Sequence, residues 1–161
     1  MRKIFSAIFL IILMMTSYLN AQIEWIKYES NPILTPGGVG QSVFIGHSSV
    51  IYHDGLYEMW YDGADNSSGI GFQIFYAYSH DGINWTKHDT GAVLSMGSTG
   101  EWDSKNAFGS EVMFMDSVYK MWYVSRDGSP FNGQMGYAES VDGINWQKSE
   151  QNPIMTFGSP G

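Results

Sequence analysis

The chain has 161 residues, 16 acidic against eight basic side chains, a formal charge of −8 and no cysteine. With no basic patch to neutralise phosphates, nucleic acid is excluded as the expected partner. Without thiols, stability has to come from packing rather than cross-links. Six Trp, ten Tyr, nine Phe and 19 Gly combine strand-forming aromatics with turn residues, the mixture of an all-β chain.

Arg2 and Lys3 precede an apolar run, Ile4 to Leu19, interrupted by Ser6, Thr16 and Ser17. Leu19-Asn20-Ala21 then puts a small residue before Gln22. This layout predicts a secretory signal peptide over residues 1–21, and a secreted or periplasmic product. The run is short of the about 20 apolar residues of a membrane span, so no membrane association is expected after cleavage. Loss of Arg2 and Lys3 leaves six basic against 16 acidic residues, a charge of −10.

The remainder is a repeat. Ser79-His80-Asp81-Gly82-Ile83-Asn84-Trp85 returns as Ser140-Val141-Asp142-Gly143-Ile144-Asn145-Trp146, 61 residues later. Leu56-Tyr57-Glu58-Met59-Trp60-Tyr61 returns as Val118-Tyr119-Lys120-Met121-Trp122-Tyr123, 62 residues later. A partial third copy, Ile23-Glu24-Trp25-Ile26-Lys27, lies 60 residues before the first Trp of the phrase. Each Trp is followed by an apolar step (Asn31 to Leu34, Gly91 to Leu94, Asn152 to Met155) and then a Gly-rich turn.

In chain order, residues 22–34 read as one outer strand. The first full repeat, 41–90, predicts strands over Ser48 to Tyr52, Leu56 to Tyr61, Gln73 to Ser79 and Asn84 to His88. Asp54-Gly55 and Asp81-Gly82 mark hairpin turns within it. The second, 101–150, predicts Glu111 to Met115, Val118 to Ser125, Gln134 to Ser140 and Asn145 to Ser149. Residues 151–161 start a third repeat. Strand two is apolar on both faces, with Tyr57, Met59 and Tyr61 on one side and Leu56 and Trp60 on the other. A sheet covered on both sides reads this way. Four-stranded antiparallel units repeated radially are blades of a β-propeller. The expected fold is therefore all-β, two blades plus an N-terminal strand that closes the ring. A ring of at least four blades needs about 240 residues at this period, so the sequence reads as a piece of a longer protein.

The order Asn-Pro-Ile-Leu, Tyr-x-Met-Trp-Tyr, Tyr-Ala-x-Ser and Asp-Gly-Ile-Asn-Trp resembles the repeats of five-bladed propeller glycosidases, the relatives of glycoside hydrolase families 43, 32 and 130. The resemblance covers nearly all of Gln22 to Gly161. It implies a carbohydrate ligand and cleavage of glycosidic bonds by carboxylates on the innermost strands. A non-catalytic carbohydrate-binding propeller and a sialidase-like or structural propeller are the alternatives, because fold does not fix function. The family's acid near the start of the first inner strand has no counterpart here, where Gly46-His47-Ser48-Ser49-Val50 stands.

The candidate catalytic residues are Glu111, the one acid at an inner-strand start, and Asp103 on the loop feeding that strand. Glu111 is either a general acid or a strand-edge carboxylate. Asp103 is a base or sugar ligand, or a turn Asp bonded to its own backbone. Trp102 stacks on a sugar ring or packs over the next blade. His47, Ser48 and Arg126 are candidate binding residues, with Asp62, Arg126 and Asp127 expected in loops. The four His residues lack metal-ligand spacing, so neither a metal nor another cofactor is expected. Asp81 and Asp142 recur once per blade and so organise turns rather than mark one active site. Glu58 and Lys120, equivalent on neighbouring blades, are a candidate ion pair of the surface kind that contributes little.

Overall fold

A computed structural model describes residues 24–66, 71–126 and 133–156. The expected signal peptide, Asp127 and most of the third Gly-rich turn lie outside them. The chain divides into two compact units, residues 1–31 and 32–161. In the first, described residues 24–31 form no strand and Trp25 is 89% exposed.

The second unit carries two four-stranded antiparallel sheets. One is β1 (Phe44–His53), β2 (Leu56–Ala64), β3 (Gln73–Ser79) and β4 (Thr86–Lys87), hydrogen-bonded in that order. The other is β5 (Phe108–Met115), β6 (Val118–Arg126), β7 (Gly133–Ser140) and β8 (Gln147–Lys148). Both are meanders of the blade type, and they do not close a ring among the described residues. No helix occurs there, and so none long and apolar enough to cross a membrane.

Two differences from the expected boundaries have local causes. Strands β1 and β5 begin earlier than their apolar runs because each continues past a bulge, at Gly46/Ser48 and Phe108/Glu111. Strands β4 and β8 are only two residues long because the preceding turn consumes the backbone. Asp81 accepts hydrogen bonds from the Ile83 and Asn84 N–H groups and the Asn84 side chain, at 2.7–2.8 Å. Asp142 does the same with Ile144 and Asn145. The Asn donors come first among the causes that hold both carboxyls well below the usual range. These Asp residues are turn organisers, as their recurrence implied.

The β1–β2 turn places Asp54 at φ 47° and Gly55 at φ 82°, and the β5–β6 turn places Asp116 at 55° and Ser117 at 63°. Two successive positive φ values define the tight hairpin turn that suits strand twist. Glycine holds the second position without strain in one blade, whereas Ser117 bears it in the other. Ser117→Gly is expected to raise stability by about 1 kcal/mol, read as a higher denaturant midpoint. An unchanged or lower midpoint would contradict the strain.

The core between the sheets comes from one face of each. Trp60, Ile74, Tyr76 and Leu94 pack with Val112, Tyr119, Met121 and Ala138. The opposite face of the first sheet buries Met59, Tyr61, Phe75 and Ala77. The two-faced pattern of strand two is therefore real, with Trp60 on one side and Met59 and Tyr61 on the other. Trp60 Nε1 donates to Gly143 O at 2.7 Å, so the indole of one blade caps the Asp-Gly turn of the next. The candidate pairing of Glu58 with Lys120 does not occur. Glu58 is buried and accepts from Tyr76 OH (2.8 Å) and Tyr119 OH (2.9 Å). Lys120 lies 4.0 Å from Asp116 instead. Equivalent repeat positions are separated by a whole blade, so two side chains on the same face of successive sheets point in the same sense and do not meet.

Each blade also clamps the Gly-rich loop before it. Lys87 Nζ donates to Thr35 O and Gly37 O, and Tyr61 OH donates to Gln41 Oε1. One repeat on, Lys148 Nζ donates to Ser95 O, and both Lys148 Nζ and Tyr123 OH donate to Asp103 Oδ2.

Candidate functional site

The bulges of β1 and β5 lie side by side at one end of the blades. His47 and Gly109 occupy equivalent bulge positions, at φ 23° and 63°. Gly109 adopts a positive φ at no steric cost. His47 does so as a β-carbon residue, a strained backbone of the kind that clusters at functional sites. Its side chain is 73% exposed, and Nδ1 lies 3.2 Å from Asp62 Oδ2. The other Asp62 oxygen accepts the Gly109 N–H at 2.8 Å.

Asp62 thus corrects the expectation of a loop residue. It sits inside β2, opposite Gly46 across the β1 bulge, and its side chain is 1% exposed. Burial pushes its carboxyl up to about 6, against the opposing pull of the Gly109 N–H and of His47. With Nδ1 turned to Asp62, Nε2 is the ring nitrogen left to serve a ligand. Such a pair, its carboxyl poised near neutrality and its imidazole open to solvent, can hold and pass a proton.

A strip of aromatic rings adjoins it. Phe44 meets Phe72 edge-on at 5.0 Å, Phe72 lies 6.1 Å from Phe108, and the Arg126 guanidinium covers Phe108 at 4.8 Å. Phe44 and Phe108 begin the two bulged strands, opposite Ala64 and Val124. Asn106 ties the strip together, accepting from Phe72 N and donating to Arg126 O. Ring faces flanked by a guanidinium and an imidazole suit a neutral, hydroxyl-rich ligand.

Of the residues singled out from sequence, the fold brings His47, Ser48 and Arg126 to this end. Ser48 is exposed beside His47. Asp103 and Trp102 are elsewhere. Asp103 is buried under Lys148 and Tyr123, neither a solvent-facing base nor a turn Asp bonded to its own backbone. Trp102 packs tilted against Tyr123 at 5.5 Å and closes over Gly136, where a β-carbon would lie 2.7 Å from the indole. It therefore packs between strands. Glu111 is exposed just beyond the β5 bulge. Strand alternation puts it on the face away from Val112, which packs against the first sheet. Phe44, Phe72 and Phe108 were missed, and Asp62 was read as a loop acid. The one available signal was Asp62 itself, a carboxylate that continues the Glu58, Trp60 alternation of strand two. Among the described residues no cluster of His, Asp and Glu could hold a metal ion.

No protein-family model matches the chain. It is 32% identical over 103 residues to an uncharacterized protein of Mycobacterium tuberculosis, covering 62% of this chain and 32% of that protein. Among solved structures it is similar to Zg3597, a family 117 glycoside hydrolase of the marine bacterium Zobellia galactanivorans. The TM-score is 0.63 at 19% identity, over 86% of this chain and 39% of the other. It is also similar to a structure from the family 130 mannoside phosphorylases, a family that contains glycoside hydrolases targeting β-1,2 mannosidic linkages in Candida mannan. There the TM-score is 0.64 at 19% identity, over 81% of this chain and 43% of the other. The two sheets thus have the blade fold of glycosidase-like propellers. The chain spans about a third of the curated relative and about two fifths of these structures.

Proposed function

We propose that the protein is an exported glycosidase-like propeller that binds poly- or oligosaccharides and cleaves their glycosidic bonds at the bulged end of the blades. The observation that carries this reading is the buried Asp62 carboxyl held by Gly109 N–H and aimed at an exposed, strained His47. The likeness to glycoside hydrolase structures supports the substrate class. In this reading Asp62 fixes the His47 ring, His47 Nε2 gives a proton to the glycosidic oxygen as its bond to the anomeric carbon breaks, water adds to that carbon and its released proton restores the imidazole, and Ser48 and Arg126 bind hydroxyls. The phenyl strip receives the C–H face of a sugar ring. A second reading, carbohydrate binding without cleavage, is favoured by one feature: the start of β1 carries His47 and Ser48 but no carboxylate.

Titrating the protein with neutral disaccharides, β-1,2-mannobiose among them, is expected to shift the His47 imidazole signals in NMR spectra. Phe108→Ala is expected to weaken the effect by about tenfold or more. Aryl glycoside hydrolysis then separates the two readings. Loss of about 100-fold or more in Asp62→Asn supports acid–base chemistry through the pair, whereas binding with no turnover supports the second reading. If no sugar moves the His47 signals, both fall.

A further inference from the structure

The two sheets leave a groove between their outer edges, and the described residues build both of its walls. One wall is the run that follows β4. The Val93 and Leu94 N–H groups both donate to Ile74 O, at 2.8 and 3.2 Å, so this run continues along the edge of the first sheet. The other wall is the Asp142 turn and the start of β8. Trp60 of the first sheet donates to Gly143 O in that turn, which fixes the spacing of the walls. The groove has a volume of about 430 Å³, and its lining includes Thr90, Val93, Ile144, Asn145, Trp146 and Gln147. That volume is in the range of small-ligand sites. The groove is separate from the bulged end, because β8 lies three strand spacings, about 14 Å, from the bulged strand β5.

Its floor is apolar and its rim is polar without charge. Val93, Ile144 and Trp146 pack against the core between the sheets. Thr90, Asn145 and Gln147 are exposed above them. No acidic or basic side chain lines the groove among the described residues, in a chain with 16 acidic and eight basic ones. The side chains of Thr90 and Gln147 have no hydrogen-bond partner among the described residues. Asn145 donates through Nδ2 to Asp142 at 2.7 Å, which leaves Oδ1 as an acceptor in a fixed place. Trp146 is held as firmly. Its Nε1 donates to Gly143 O at 2.9 Å, and its ring meets Trp60 edge-on at 6.1 Å. A fixed indole with three uncharged hydrogen-bonding groups suits a ligand that offers C–H faces and hydroxyls. A charged ligand would find no partner for its charge here. A neutral sugar meets both conditions.

We propose that this groove is a second carbohydrate site, which holds a neutral glycan at the outer edge of the blades. Trp146 receives the C–H side of one sugar, and Thr90, Asn145 and Gln147 bind its hydroxyls. The site holds the glycan without reacting with it, because its lining offers no carboxyl or imidazole to move a proton. A long glycan that also reaches the bulged end is retained by both sites together, since the second contact is then intramolecular. The inference stands on the residues of the groove and does not depend on the glycosidase reading.

NMR titration of the isotope-labelled chain with cellotetraose, xylotetraose and mannotetraose tests it. At least one of these sugars is expected to shift the indole N–H signal of Trp146, assigned by triple-resonance spectra. Gln147→Ala and Thr90→Ala each remove one exposed hydrogen-bonding group and leave the floor intact. Each is expected to weaken the affinity read from that signal by about threefold to tenfold. Spectra dispersed like the parent's show that both variants are folded. The His47 signals, followed in the same titration, separate this site from the one at the bulged end. Movement of Trp146 without His47 supports the groove and tells against the bulged end. Movement of His47 without Trp146 overturns the groove and leaves the other reading intact. If no sugar moves the Trp146 signal, the proposal falls. Affinities in Gln147→Ala and Thr90→Ala that both match the parent's overturn it as well.

Discussion

Trp60→Ala is expected to destabilise the protein by about 3–5 kcal/mol, enough to unfold much of the chain at ambient temperature. The indole is fully buried between the sheets, in contact range of Tyr76, Tyr119 and Trp146 at centroid distances of 5.4, 5.7 and 6.1 Å. Its removal leaves a cavity no neighbouring strand can collapse into without breaking the sheet register. It also withdraws the donor that ties the second blade's Asp-Gly turn to the first. Trp122→Ala is the control. That indole occupies the same repeat position but is only half-buried, and its aromatic neighbour among the described residues is Tyr137, at 5.4 Å. It is expected to cost less than half as much, measured by urea denaturation. Equal losses at the two positions would show that the contact between the blades does not dominate the core.

Asp62→Asn is expected to abolish a pH dependence of stability between about pH 4 and pH 6. Burial raises the folded-state carboxyl from 3.8 to about 6, so the native protein binds the proton more tightly than the unfolded chain. The resulting stabilisation is fully present below about pH 4 and disappears as pH rises through 6. Two units correspond to about 3 kcal/mol. The parent should therefore lose about that much relative to Asp62→Asn between pH 4 and pH 7. Asp81 and Asp142 act in the opposite sense. Their folded-state carboxyls are depressed by the Asn84 and Asn145 donors, so their contribution is present above the ordinary carboxylate range and is lost as pH falls below it. Parent and variant should both weaken in that acid limb, which leaves the difference between them to report the Asp62–His47 pair. Parallel stability curves from pH 4 to pH 7 would mean that Asp62 remains ionised in the folded state throughout.

The position of Asp62 also explains why the site was hard to read in one dimension. Asp62 follows Tyr61 with no turn residue between, and sequence spacing alone cannot say where a strand stops. β2 runs on to Ala64 because β1 continues past its bulge and offers partners at Gly46, Ile45 and Phe44. His47 carries no local signal of a positive φ, since that conformation is imposed by the bulge. Asp103 has the composition of a loop acid, yet Lys148, 45 residues away, comes to lie 2.6 Å from it. Glu58 and Lys120 looked complementary in the alignment, but repetition places them a blade apart.

The sequence by itself determined the repeat, the four strands of each blade, the tight turn at Asp54-Gly55, and the turn role of Asp81 and Asp142. These follow from alternation and from hydrogen bonds closed within three residues, and both are local. Only the tertiary structure decided which face each strand buries, that Asp62 joins His47 to the neighbouring blade, and that Asp103 supports a loop clamp. The physical reason is distance along the chain. Gly109 N–H reaches Asp62 from 47 residues away, and Trp60 reaches Gly143 across 83. Burial and charge at these side chains are set by packing of one sheet on the other, which no local pattern records.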